Sequence, residues 1–254
     1  MKTRAGKFYN FLVIIYGINP VLEYLRGTGQ KPQRILVSEG RSLPSELRSA
    51  IEAAGLRLEN VPRGRLDRLT GTKKHQGIVA IIPPIEYMPP EEFLGLLVEK
   101  RGVGLILHDI EDPGNIGAII RTAEFLGAVG VAISGAHTPG VTDVSVKSSA
   151  GAVFHLPVCR LGNPKVFIKE FRAVGGWVAG VELGGQDIVL ADPPLPIVLV
   201  LGSEGRGLPE KLREKCDFIL TISGRGKTGS LNVSVAGAIA LWALLSKNSS
   251  LGSH

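Results

Sequence analysis

The chain has 254 residues, 44% of them hydrophobic and 20% charged, a balance that fits a soluble globular protein of one large or two modest domains. Its two cysteines, Cys159 and Cys216, sit in no CxxC and pair with no histidine at ligand spacing, which argues against a disulfide framework or a zinc site and for the reducing cytoplasm. No apolar run reaches the roughly 18 residues a bilayer span needs, so no membrane partner is expected, while a net charge of +6 permits RNA binding without requiring it.

The chain opens on a basic then apolar stretch through Ile15, but Asn10 interrupts it and no small-residue cleavage site follows, so a signal peptide is not expected. Asn19 and Pro20 suggest the N-cap and first turn of a short helix through Leu25. Strands are expected at Arg34–Ser38, Leu56–Val61 and Gln76–Ile82, with helices at Pro44–Ala54 and Arg65–Thr70. Residues 1–82 thus alternate α and β as a small domain. The four prolines of Pro83–Pro90 oppose a helix or a central strand, and 83–92 reads as a semi-rigid linker.

The alternation is more regular over 93–250. Helix 93–100 precedes strand 103–108, helix 116–127, strand 129–134 and a polar segment 142–152 leading to Phe154–Val158. Helix 164–174, strands 177–182 and 197–201, helix 208–215, strand 218–222 and helix 231–246 follow. Strand–helix alternation of this kind makes an α/β domain with a mostly parallel sheet. The final residues 251–254 read as a tag remnant.

Three polar loops follow buried strands and precede helices, the place where open α/β sheets hold ligands. In the segment that begins Asp112-Pro-Gly-Asn-Ile-Gly117, Asn115 stands at an N-cap position and Arg121 lies off the apolar stripe at 116, 119, 120 and 123. A capped helix with a solvated arginine is the plain reading of that segment. In Leu201-Gly-Ser-Glu-Gly-Arg-Gly207, Glu204 stands between Gly202 and Gly205, either as a surface turn or as a close approach to a ligand. In Ser230-Leu-Asn-Val-Ser-Val-Ala236, Ser230 suits a helix cap, whereas Asn232 and Ser234 are polar groups in an otherwise apolar helix and need partners. Gly226-Lys227-Thr228 matches the end of a Walker A motif, but Thr221 stands where its first glycine belongs, and no dinucleotide fingerprint follows a first strand. Arg225 and Lys227 are better read as phosphate contacts to RNA. His75, beside Lys73 and Lys74 in a polar turn, is read with them either as a loop histidine or as part of an RNA-binding group.

Together the three segments resemble the SpoU (TrmH-type) branch of the SPOUT RNA methyltransferases. Asn115 and Arg121 match the first motif, Val198–Gly207 the second, and Ser230–Ala236 the third letter for letter. Tyr16–Val21 and His75–Val79 resemble the L30e-like substrate-binding domain of the subgroup that makes 2′-O-methylguanosine in 23S ribosomal RNA. One departure is Ile222-Ser-Gly224, where the family commonly has Ile-Pro-Met.

The resemblance implies an α/β protein with an L30e-like N-terminal domain and a C-terminal SPOUT domain carrying a deep trefoil knot. It implies a homodimer whose active site uses both subunits, and S-adenosylmethionine as cofactor. Leu201, Gly202, Gly205, Ile222 and Leu231 would hold that cofactor. Arg121, as base or as a cation on the target phosphate, would work with Asn115, Glu204, Ser230 and Asn232. The implied reaction is 2′-O-methylation of ribose in structured RNA. A tRNA 2′-O-methyltransferase and a non-catalytic RNA-binding module are the competing readings.

Overall fold

The computed structural model describes residues 12–248, so the readings of the N-terminal stretch up to residue 11 and of the tag remnant lie outside the described residues. The chain forms two compact units that divide between Glu86 and Tyr87.

The first unit contains β1 (Val13–Tyr16), α1 (Ile18–Gly27), β2 (Arg34–Ser38), α2 (Ser45–Ala53), β3 (Leu58–Val61), α3 (Arg63–Thr70) and β4 (Ile78–Ile82). Its sheet has the order β1-β4-β2-β3, with β4 antiparallel to both neighbours and β2 parallel to β3. Leu36, Val61, Leu66 and Val79 form a buried cluster joining β2, β3, α3 and β4. Helix α1 starts one residue before Asn19, with Gly17 at φ 98° in the cap position. Asn19 is therefore inside the first turn rather than its cap. Pro20 is tolerated there because first-turn amides have no helical acceptor.

The second unit begins before the expected linker ends. Met88 N donates to Val158 O at 2.8 Å, and α4 runs Pro90–Lys100 with Pro89 at its cap. Proline is tolerated at the first helical position, where its missing N–H costs nothing, so the second half of the proline run starts a helix. There follow β5 (Val103–His108), α5 (Pro113–Phe125), β6 (Val131–Ser134), α6 (Asp143–Ser148), β7 (Val158–Leu161), α7 (Pro164–Ala173), β8 (Trp177–Asp187), β9 (Ile197–Leu201), α8 (Glu210–Arg213), β10 (Phe218–Thr221) and α9 (Val233–Asn248). Residues 154–157, expected as strand, lie outside β7. A 3-10 turn occupies Ala152–Phe154, and the strand starts after Pro157, which has no amide to give a ladder.

The six strands, in order β10-β8-β9-β5-β6-β7, are all parallel. β9 is inserted between β5 and β8. All five residues of β9 are buried, as a strand covered on both faces must be. On one face Phe93, Phe167 and Phe171 stack at 5.7 and 6.0 Å and pack with Ile106, Val198 and Leu212. Ile116, Ile119 and Ile120 of α5, and Leu241 and Leu244 of α9, are also buried. A Cβ on Gly237 would meet Leu201 Cδ1 at 2.8 Å, so glycine lets α9 lie against the end of β9. β8 continues past its expected end at residue 182 to Asp187. Its pairing with β10 jumps from Ile219↔Gly180 to Leu220↔Gln186, so Val181–Gly185 bulge out. Among the described residues, no helix is long and apolar enough to cross a membrane.

Candidate active site

β5 and β9 are adjacent and parallel, so the loops after them emerge side by side at the carboxyl edge of the sheet. Asp112, not Asn115, caps α5: its Oδ1 accepts from Gly114 N at 2.8 Å, and Pro113 follows at the first helical position. Asn115 is thereby moved into the helix, buried, with its amide free for another use. Its Nδ2 donates to Glu204 Oε1 at 2.5 Å.

The third loop reaches the same atoms. Asn232 precedes α9 and does the capping expected of Ser230: its Oδ1 accepts from Ser234 N at 2.8 Å and from Ser234 Oγ at 2.6 Å. Its Nδ2 donates to Glu204 Oε1 at 3.1 Å and to Asn115 Oδ1 at 3.2 Å. One residue from each loop thus closes a triangle. Two carboxamides are needed for it, because an ionised aspartate at either place has no proton to donate to Glu204.

The Glu204 loop is shaped from inside. A Cβ on Gly202 would collide with the carbonyl oxygen of Gly207, and Gly205 and Gly207 have φ of 79° and 65°. Glu182, from the bulge of β8, accepts from Leu208 N at 3.3 Å and from Arg213 Nε at 3.0 Å. Arg206 pairs with Glu111 at 2.7 Å, tying the second loop to the first. Sequence reading missed Glu182, Glu111 and Arg206, because nothing in a linear pattern pairs charges so far apart.

Arg121 is exposed and stands outside the triangle. Six positions past Asn115, it points about 120° around α5 from it. Ser230 and Leu231 are exposed beside Asn232, and Ile222 is half-buried at the end of β10. Arg225 and Lys227 are exposed in the irregular stretch between β10 and α9. Since α9 begins only at Val233, Lys227 and Thr228 do not open a helix, which removes the phosphate-loop geometry.

In the first unit Lys73 and Lys74 are exposed, whereas His75 is fully buried. Its Nε2 is 2.8 Å from Asp67 Oδ1, and its Nδ1 accepts from Gly77 N at 3.0 Å. Both ring nitrogens are engaged inside the unit, so the expectation that His75 itself touches RNA is replaced by a role in holding the turn. His108 and His137, scattered in sequence, come together on Asp109, at 3.6 Å each. Burial holds His108 below its ordinary pKa, the Asp109 charge opposes that shift, and Lys165 adds to it.

Leu231 keeps its aliphatic side chain exposed, next in sequence to the asparagine of the triangle. Residues 102–242 match the SpoU rRNA Methylase family, and residues 14–88 match RNA 2′-O ribose methyltransferase substrate binding. YacO of Bacillus subtilis, assigned to the TrmH family of tRNA/rRNA methyltransferases, is 34% identical over 244 residues, 94% of this chain and 97% of its own. A tRNA/rRNA methyltransferase of Mycobacterium ulcerans is 36% identical over 232 residues, 89% of this chain and 74% of its own. The crystal structure of the SpoU methyltransferase AviRb from Streptomyces viridochromogenes with AdoMet has a TM-score of 0.79 at 25% identity, covering 93% of this chain and 90% of AviRb. The AdoMet-bound rRNA methyltransferase of Sinorhizobium meliloti has a TM-score of 0.77 at 27% identity, covering 93% and 87%. The chain belongs to the SpoU/TrmH family of S-adenosylmethionine-dependent RNA methyltransferases.

Proposed function

We propose that this protein methylates a ribose 2′-hydroxyl in structured RNA, with a guanosine of 23S ribosomal RNA as the target that the resemblance favours. The observation that carries the reading is the Asn115–Glu204–Asn232 triangle, in which one side chain from each of three loops meets at the carboxyl edge of the sheet. Leu201, Gly202, Gly205, Ile222 and Leu231 hold the cofactor, which supplies an electrophilic methyl on a positively charged sulfur. The protein has two remaining tasks: to align the hydroxyl oxygen with that methyl and to ease loss of the hydroxyl proton.

Both hydrogen bonds from the carboxamides to Glu204 fall on Oε1, leaving Oε2 for the ribose or an incoming cation. Arg121 is that cation. A guanidinium does not deprotonate in a protein, so it acts by holding the target phosphate and polarising the attacking oxygen. Ser230, beside Asn232, orients the ribose. Arg121 shares a stripe of α5 with Phe125, which is 83% exposed, and α9 exposes Val235, Ile239 and Trp242 at helical spacing. A second copy covering this apolar face makes the homodimer and brings Arg121 to the site. Arg225 and Lys227 meet RNA phosphates.

The test is 2′-O-methyl mapping of ribosomal and transfer RNA from a strain lacking the gene, with methyl transfer to that RNA by the purified protein. One guanosine of 23S RNA should lose its methyl and regain it in vitro. Restored methylation confined to tRNA would replace the ribosomal target, and no transfer to any RNA would end the reading.

A further inference from the structure

The first unit carries a group of cations that the active site does not use. The turn after α3, from Gly71 to Gly77, exposes Lys73 and Lys74. Arg63, at the start of α3, reaches the Lys73 carbonyl at 3.5 Å. On the other side, a Cβ on Gly77 would lie 3.0 Å from Arg41 Cγ, so the exposed Arg41 side chain lies across the end of the same turn. Four cations from three segments therefore flank one turn, and Arg68 projects from the outer face of α3.

The only acid of residues 62–77 is Asp67, and His75 holds it. The Gly77 N–H can only donate, so His75 Nδ1 accepts, and the ring proton sits on Nε2, pointing at the Asp67 carboxylate. The buried imidazole does two things at once. It fastens the lysine turn to α3, and it holds the one carboxylate of residues 62–77. Around the margin, Glu59 is held by the Arg34 guanidinium, and Glu39 stands at the end of β2.

We infer that Arg41, Arg63, Lys73 and Lys74 form a clamp for the phosphodiester backbone of RNA, with His75 as the positioning residue beneath it. The inference rests on the proposed function, whose substrate is RNA, and adds where and by what chemistry the first unit grips it. The carboxamide of Gln76 in the same turn is turned inward to accept from Ile18 N at 2.9 Å, so what the four flexible cations read is charge, not base identity. Binding through such a clamp releases counterions, so affinity falls with salt in proportion to the phosphates neutralised.

The experiment measures binding of the full-length protein to a fluorescein-labelled RNA stem-loop of arbitrary sequence, by anisotropy across a KCl series. Each of Arg41→Gln, Arg63→Gln, Lys73→Gln and Lys74→Gln is expected to lower the slope of log K against log salt by about 0.7–0.9, and the quadruple variant by about 3. Arg48→Gln and Arg57→Gln, equally exposed cations of the first unit, should leave the slope unchanged. His75→Asn should weaken binding with the slope kept, because the cations remain but their turn is loosened. Calorimetry with S-adenosylmethionine should give the wild-type result for all of them. RNA binding with an unchanged slope in the quadruple variant, or an equal drop in Arg48→Gln and Arg57→Gln, overturns the clamp alone. A wild-type protein that binds S-adenosylmethionine but no RNA overturns the clamp and the proposed function together.

Discussion

Asn115 shows how much one residue's role depends on a neighbour. With Asp112 capping α5, the asparagine amide is released to bind Glu204; had Asn115 been the cap, the triangle would lose a side. The N-cap reading of Asn115 therefore fails, since Asn and Asp are equally good caps and the turn decides between them. Glu204→Gln keeps the shape of the side chain but puts an NH₂ against two donors if its oxygen turns away. We expect it to fold with stability within about 1 kcal/mol of wild type and to lose methyl transfer by at least about a hundredfold, measured in a single turnover beside a thermal melt. Arg121→Ala removes an exposed side chain and no core. It should melt like wild type, bind cofactor, and lose transfer by about a hundredfold or more, with Arg121→Lys rescuing poorly because the planar fork is gone. Normal turnover by folded Arg121→Ala would return the arginine to a solvated helix charge. The two cysteines report the opposite environment. Burial, with Glu91 adding for Cys159 and Asp217 and Glu182 adding for Cys216, pushes both thiols up to about 12. Each favours the neutral thiol in the fold, so this contribution is complete below the ordinary thiol value of 9.0 and is lost as pH rises from there toward 12. The melting temperature should fall over that range in wild type and less in a Cys216→Ala variant.

At the scale of elements, the apolar strands were legible because a parallel sheet covered on both faces needs unbroken runs such as Ile197–Leu201. Boundaries were legible only where a residue forbids continuation. Pro157 delays β7, and Pro90, read as a breaker, instead starts α4, because proline stops a helix from within and suits its first turn. The bulge of β8 was illegible: Glu182 is placed by a register shift against β10, which no single segment's periodicity contains. Close helix contacts are equally silent in sequence. A Cβ on Gly117 would collide with the Ser145 carbonyl oxygen and with Ser148 Oγ, so α5 touches the α6 backbone there. Gly117→Ala must push the helices apart. It should cost about 1–3 kcal/mol in urea unfolding, and because Asn115 lies on the same turn of α5 it should slow methyl transfer as well. A variant of wild-type stability would mean that α6 gives way without cost.

At the scale of the whole molecule, the apolar surface that one chain leaves uncovered bears on how many copies act together. Helix α9 is apolar on nearly all sides, yet α5 and the sheet bury only part of it, at Val233, Ala240, Leu241 and Leu244 among others. Val235, Ile239 and Trp242 remain outside, Trp242 at 61% exposure, and a helix with apolar residues on both faces is stable in water only when both are covered. The sequence shows an almost wholly apolar helix there, but what covers its outer face and the geometry of that contact have no trace in a linear pattern. A second copy is the economical cover, since a two-fold axis lets the same stripe meet itself. Light scattering should give twice the 27.0 kDa chain mass. Trp242→Glu places a charge at the centre of that contact. It should shift the protein toward monomer while leaving each chain folded, as the side chain is already outside the core. If Arg121 serves the partner's site, the monomeric variant should bind cofactor weakly or normally but transfer methyl groups at least about tenfold more slowly. Mixing folded Arg121→Ala chains with Asn232→Ala chains should then restore activity at one of the two sites in each mixed dimer. Full activity in a Trp242→Glu monomer, or no recovery from the mixture, would place Arg121 and the triangle in the same chain's site.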